Sequence, residues 1–103
     1  MTTTNQATSL LEKLNALTSN EVTVSVAGVD FTFVRDNSAY DAMINEINTD
    51  NKVTPMKDYL LAIVKREQRE DLLQIINVPG LAINLAGMVN KALIPQIELS
   101  LKK

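Results

Sequence analysis

The feature that most constrains the fold is a strict alternation of apolar and polar residues on both sides of Gly28. Every second position is apolar, with Val22, Val24 and Val26 before the glycine and Val29, Phe31 and Phe33 after it. A period of two is typical of strands with one buried face. If Ala27 and Gly28 form the loop, Val26 faces Val29, Val24 faces Phe31 and Val22 faces Phe33, so that all six share one face. The sequence therefore predicts a β-hairpin. A longer turn reaching Asp30 is the alternative, because Ala-Gly is not a favoured loop dipeptide.

A short amphipathic helix is predicted before the hairpin. Thr8 or Ser9 can cap it, and Ser9 with Glu12 forms a capping-box pattern. Its apolar face carries four leucines, at positions 10, 11, 14 and 17. Residues 1–7 are polar and Thr-rich, offer little to bury, and are predicted to be disordered.

Four short helices are predicted after the hairpin. The first starts at Asp36-Asn37-Ser38, with Ser38 as its cap, and the second starts at Thr54-Pro55, with Thr54 as its cap. The third follows the mixed-charge residues 65–71, and the last runs from Pro79-Gly80 to about Ile94, where Pro95 ends it. Their apolar stripes are Tyr40, Met43, Ile44 and Ile47; Met56, Tyr59, Leu60, Ile63 and Val64; Leu72, Leu73, Ile75 and Ile76; and Leu81, Leu85, Val89 and Ala92.

After Pro95 the alternation returns, with Ile97, Leu99 and Leu101 apolar and the residues between them polar. This pattern predicts a C-terminal strand, which would join the hairpin as a third strand because it cannot be stable alone. The predicted fold class is α+β: an N-terminal helix, a β-hairpin, a helical bundle of about four short helices, and a C-terminal strand in a small antiparallel sheet. We expect residues 1–20 to be a flexible N-terminus with a short helix and residues 21–103 to be a single domain.

The composition argues against an enzyme. The chain has no histidine and no cysteine, so the commonest acid/base groups, nucleophiles and zinc ligands are missing. The carboxylates of Asp41 and Glu46 lie five residues apart, on different faces of a helix. No glycine-rich phosphate motif is present. We therefore predict no catalytic residue, no cofactor and no metal.

Charge and hydropathy argue against two classes of partner. The net charge is −2, and the densest charged run, residues 65–71, alternates in sign. Nucleic-acid binding requires clustered Lys and Arg, so no nucleic-acid partner is predicted. The longest apolar stretch, residues 78–85, is interrupted by Pro79-Gly80 and Asn84 and is too short to span a bilayer, so no membrane partner is predicted.

The last predicted helix is apolar nearly all round. At 100° per residue, Ile83 and Ile94 fall among its polar residues and Met88 lies at the margin. Either a neighbouring element covers this side, or it is an exposed patch that meets another chain. The leucine stripe of the N-terminal helix is the other candidate. The predicted partner-binding residues are Ile83, Met88, Ile94, Leu10 and Leu14.

From Tyr40 onward the sequence resembles the tail assembly chaperones of tailed bacteriophages and prophages. The resembling stretches are residues 40–46 (YDAMINE), 51–55 (NKVTP), 59–61 (YLL), 72–73 (LL) and 78–82 (VPGLA), with the hairpin ending in Asp30–Phe33 and the tail from Pro95 to Leu101 fitting the family outline. The resemblance covers residues 21–103. Met56 departs from the alanine that the family usually has there.

The resemblance implies a small factor in the cytoplasm of the bacterial host that binds the long, mostly helical tape-measure protein. Such factors keep that protein soluble until tail-tube subunits polymerise around it, and they are absent from the finished virion. The tail-tube protein is a further implied partner, and a homo-oligomer is compatible with the family. Some relatives are also made in a longer, frameshifted form. The family supplies no catalytic or ligand residues to carry over.

A structural tail component is the alternative, such as a terminator or connector subunit that assembles into an oligomeric ring. A third possibility, an enzyme or its regulatory subunit, is disfavoured by the missing chemistry.

Overall fold

The computed structural model describes residues 2–102. It is an α+β fold with a hairpin and, within those residues, five α-helices. In chain order the elements are α1 (Thr2–Asn15), β1 (Glu21–Val26), β2 (Val29–Val34), α2 (Asn37–Glu46), α3 (Val53–Ile63), a 3₁₀ turn (Arg66–Gln68), α4 (Arg69–Ile75) and α5 (Leu81–Leu93). The α+β class, the hairpin and the four helices after it are therefore confirmed.

The hairpin has the predicted register. Val26 pairs with Val29, Val24 with Phe31 and Val22 with Phe33. The loop consists of Ala27 and Gly28 alone, with φ angles of 51° and 89°. Positive φ at both loop positions matches the right-handed twist of the flanking strands, although alanine adopts this conformation at a cost. The longer turn reaching Asp30 is thus not formed.

The core lies between the inner face of the hairpin and the helices. Phe31 and Phe33 are almost completely buried, and Val24 joins them from β1. The helices, together with the residues that directly follow α3 and α4, contribute further buried apolar side chains, which are Met43, Tyr59, Leu60, Ile63, Val64, Leu72, Ile76, Ala82, Leu85, Ala86, Val89 and Leu93. The apolar stripes predicted from helical spacing therefore supply most of the core. Ile44 and Leu73 are exceptions, because both are exposed.

The outer edge of β2 is closed by the segment that follows α3. Val64 forms an isolated antiparallel bridge with Phe33, and the Lys65 N–H donates to the Thr32 carbonyl at 2.9 Å. The Gln68 side chain accepts from the Thr32 N–H at 2.7 Å through Oε1 and donates to the Asp30 carbonyl at 3.1 Å through Nε2. One glutamine amide thus takes the place of a peptide group in a third strand, and it holds the hairpin to the helices.

Three helix starts differ from the prediction. The first helix begins at Thr2, and not at Thr8 or Ser9, so the expected disorder of residues 1–7 is wrong for Thr2–Ala7, while Met1 lies outside the described residues. Asp36, and not Ser38, caps α2 by accepting from the Ala39 N–H at 3.1 Å. Helix α3 begins at Val53, which places Thr54 inside the helix with no capping role and lets Pro55 pack into the interior. Several neighbouring polar residues could cap each helix, and packing selects among them.

The predicted C-terminal strand is not formed in the described part of the chain. The sheet there has only two strands, and residues 95–102 have no regular secondary structure. Leu99 and Leu101 are 88% and 89% exposed. The alternation after Pro95 has the period of a strand, but a strand also needs a hydrogen-bonding neighbour, and this segment has none among residues 2–102.

Replacing Gln68 by alanine should destabilise the fold by about 1–3 kcal/mol, because the half-buried Thr32 N–H loses its acceptor. Urea unfolding followed by circular dichroism measures the change. The matched control is Gln74→Ala on the exposed side of α4, which should stay within about 0.5 kcal/mol of the wild type. Equal effects of the two variants would contradict the role given to Gln68.

Replacing Ala27 by asparagine should stabilise the hairpin by roughly 0.5–1 kcal/mol, because asparagine tolerates the left-handed conformation that the loop requires. The same unfolding experiment measures the gain. Ala16→Asn, in the linker after α1, serves as the control and should give no gain. A destabilised Ala27→Asn variant would mean that the loop conformation is wrong.

Candidate protein-binding surface

Asp36 and the polar loop after α2 have structural roles. Asp36 caps α2, as described above. The Asn48–Asn51 loop closes on itself, with reciprocal backbone hydrogen bonds between its two ends and the Asp50 N–H donating to Asn48 Oδ1 at 2.9 Å. Gly80, with φ 84°, precedes α5 without a side-chain cap. Within residues 2–102, no group of three or more acidic side chains is arranged to hold a metal ion.

None of the described helices is long and apolar enough to cross a bilayer.

A wide groove of about 830 Å³ lies along the outer face of α5. Its apolar side chains are Ile83, Met88 and Ile94, and Tyr40 of α2 lines it from across the groove. Ile83 is 49% and Met88 59% exposed, whereas Ile94 is half-buried. The polar or small lining residues are Asn84, Gly87, Asn90, Lys91, Pro95 and Gln96. We call this surface the α5 groove.

The α5 groove brings together three of the five predicted partner-binding residues. No other described element buries Ile83 or Met88, so their off-face positions on α5 do not come from packing against a neighbour within the described chain. The three methionines at positions 43, 56 and 88 differ in exposure. Met43 is buried and Met56 is half-buried in the core, and only Met88 of these three is exposed. An exposed methionine suits a surface that adapts to its partner.

A polar contact fixes the wall of the groove. The Tyr59 hydroxyl donates to Asn90 Oδ1 at 2.7 Å, joining α3 to α5, and the rings of Tyr40 and Tyr59 meet edge to face with centroids 6.2 Å apart. Burial, followed by the nearby Tyr40 and Asp36, raises the pKa of Tyr59 to about 12. This hydroxyl is a structural donor at neutral pH, because it stays protonated and bound to Asn90.

Leu10 and Leu14, the other two predicted residues, lie on α1 and do not line the α5 groove. Leu10 is exposed, as are Leu11 and Leu17, and Leu14 is half-buried. The C-terminal end of α1 is held near the end of the hairpin, where Arg35 donates to Thr18 Oγ1 at 2.7 Å. The two predicted surfaces are thus separate features of the molecule.

A second apolar cavity was not predicted from the sequence. It has a volume of about 530 Å³ and lies between the hairpin loop and the start of α5. Its lining is Val26, Ala27, Val29, Phe31, Asp71, Gln74, Ile75, Val78 and Leu81. The apolar Val78 before Pro79 was the available signal, but the sequence pattern only placed this valine directly before the predicted start of the last helix.

The chain was compared with known proteins. A family model described as phage tail assembly chaperone matches residues 22–103. An uncharacterized 11.3 kDa protein in the lys 3′ region of Haemophilus phage HP1 (strain HP1c1) is 61% identical over 97 residues, which cover 94% of this chain and 95% of that protein. No solved structure is significantly similar to the chain.

Replacing Tyr59 by phenylalanine should cost about 1 kcal/mol at neutral pH, because Asn90 loses its donor. The cost should shrink as the pH rises from 10 towards 12. In that window the Tyr59 hydroxyl ionises in the unfolded chain but stays protonated in the folded one. This ionisation lowers the free energy of unfolding of the wild type, whereas phenylalanine cannot ionise and the variant is unaffected.

The measurement is urea unfolding of both proteins at each pH, taken as a difference. Tyr40→Phe is the control at neutral pH, since it keeps the ring contact and removes a hydroxyl that forms no hydrogen bond in the described structure. A difference between wild type and Tyr59→Phe that stays constant from pH 9 to pH 12 would contradict the raised pKa.

Proposed function

The chain belongs to the phage tail assembly chaperone family, and from this premise we propose that it binds the tape-measure protein and keeps it soluble while the tail assembles. The observation that carries the proposal is the α5 groove, where Ile83 and Met88 remain exposed on a helix whose opposite face is fully packed. The proposed place of action is the cytoplasm of the bacterial host.

The shape and chemistry of the α5 groove suit a helical partner. An amphipathic helix binds a groove through apolar side chains on one face, while its polar side stays in water. Ile83, Met88 and Ile94 offer apolar contacts, and Asn84 and Lys91 offer hydrogen bonds beside them. A long, mostly helical client with exposed apolar stripes would aggregate without such cover.

The α1 leucines are proposed as a secondary contact. Leu10 is exposed on a helix that lies outside the matched residues 22–103, so the family relationship does not extend to it through that match. The α5 groove lies wholly within the matched residues, and for this reason we place the main client contact there.

Co-expression with the tape-measure protein of the same phage tests the function. We expect the soluble fraction of the tape-measure protein to rise and the two proteins to co-purify. If neither changes when this chain is present, the proposed function fails. A stable closed ring of this chain that is retained in finished tails would instead favour the structural tail component.

A double substitution tests the site. Ile83→Asp with Met88→Asp should lower the amount of co-purified tape-measure protein at least tenfold, because two charges replace apolar contacts in the α5 groove. The thermal unfolding temperature should change little, since both side chains are exposed.

The matched control is Ile44→Asp with Leu73→Asp. Both of these side chains are 48% exposed, and neither lines the α5 groove. The control variant should bind as the wild type does. If the α5 groove variant also binds normally, the function stands and the placement of the site is wrong. If it unfolds, Ile83 and Met88 are core residues and the α5 groove is not a surface.

A further inference from the structure

The hairpin has one closed edge and one open edge. On β2, both the N–H and the carbonyl of Thr32 point away from β1, where Gln68 and Lys65 bind them. Thr32 faces Thr23 across the ladder, so the same alternation turns the backbone groups of Thr23 and Ser25 outward on β1. Within residues 2–102 neither isolated bridge involves β1, and no third strand covers it. An open edge of this kind is a template for another strand.

An apolar margin of α5 runs alongside this open strand. This margin contains Leu81, Met88 and Ala92. Their spacings of seven and four residues place them on one side of the helix. Near the C-terminal end of α5, the Ala92 carbonyl accepts from the N–H of Ser19, which lies just before β1, at 3.1 Å. At the N-terminal end of α5, Leu81 lines a cavity together with Val26, the last residue of β1. Met88 therefore lies along the middle of β1, and a strand added at the open edge would bring its inward side chains towards it.

The chain itself carries a segment of the matching pattern. Residues 96–102 alternate between polar and apolar side chains, and the apolar ones are Ile97, Leu99 and Leu101. Leu99 and Leu101 are almost fully exposed and the segment is unpaired.

The segment leaves α5 within the α5 groove. Pro95 and Gln96 line the α5 groove with Tyr40 and Ile83, and on this same side Asn90 contacts Tyr59 of α3. On the helix, Asn90 lies about 180° from Leu81, which marks the β1 margin. Met88, on the β1 margin, lines the same groove, so the segment begins beside the exposed face of α5. It has no partner strand within residues 2–102, and the open edge of a second copy supplies one.

We propose that residues 96–102 of one copy add as a third strand to the open edge of β1 in a second copy, and that two copies exchange these segments reciprocally. The inward side chains Ile97, Leu99 and Leu101 would then cover the margin of α5 that contains Met88, so that the second copy and the client compete for this side chain. The polar side chains of the added strand fall on the outer face, beside Thr23 and Ser25. Each exchange satisfies the outward backbone groups of β1 by β-strand addition, and the two-fold arrangement closes without leaving a free segment.

Solution mass over a dilution series is the first test. The wild type should have twice the single-chain mass of 11.4 kDa and should dissociate on dilution. Leu99→Asp with Leu101→Asp should raise the dissociation constant more than tenfold, and Ser100→Asp, on the polar side of the same segment, should leave it within threefold. Ser25→Pro removes an outward N–H from β1 and should also weaken the dimer. A wild type that is monomeric throughout, or a Leu99/Leu101 variant that dimerises normally, overturns the proposal.

Cross-linking distinguishes exchange between copies from folding back within one copy, and the absence of natural cysteines makes it specific. Ser25→Cys and Ser100→Cys are placed in separate chains with different tags, mixed, and treated with a short bis-maleimide. A cross-linked heterodimer is expected. Circular dichroism of each variant checks that both chains fold. No cross-link between the two chains, or an intramolecular cross-link within the double variant Ser25→Cys/Ser100→Cys, overturns the exchange between copies.

Discussion

The closed edge of β2 is the constraint on which the rest of the structure depends. A two-stranded hairpin is not stable in water by itself, and here its inner face and one edge are both completed by helices. The Gln68 amide accepts from Thr32 and donates to Asp30, which fixes the distance between the hairpin and the helical segment after α3. Because Val64 bridges to Phe33 in the same segment, the core and the sheet edge are held by one short stretch of chain.

This arrangement makes the two sides of the hairpin unequal. The segment after α3 covers the outer edge of β2, whereas β1 packs against α5 and has no further strand at its outer edge within residues 2–102. The same packing leaves α5 with one exposed side, because its buried residues Ala82, Leu85, Ala86, Val89 and Leu93 already fill the space against the hairpin and α3. The outer edge of β1 and the exposed side of α5 are therefore both left uncovered when the segment after α3 packs against the edge of β2.

Local patterns were enough to predict the hairpin and most of the core, because the alternation around Gly28 specifies both register and face. They could not predict that the Gln68 side chain closes the edge of β2. Its partners Thr32 and Asp30 lie 36 and 38 residues away, and a glutamine among charged residues has no distinctive signal. The same limit explains the C-terminal strand. Ile97, Leu99 and Leu101 have the right period, but pairing depends on where the segment leaves α5. At the candidate site, helical spacing placed Ile83 and Met88 correctly on the exposed face, while Tyr40, which α2 brings to the groove, could not be anticipated.

The composition of the α5 groove bears on how tightly a chaperone of this kind can hold a client. About half of each of the Ile83 and Met88 side chains is already covered, so a partner gains roughly 1–1.5 kcal/mol from burying the remainder of each. The groove is otherwise lined by Asn84, Lys91 and other polar groups that must exchange water for partner contacts at little net gain. A single site of this size binds weakly, and weak sites release quickly. Under the proposed function, many such contacts along a long helical client give cover that is strong in total, while each contact remains easy to displace.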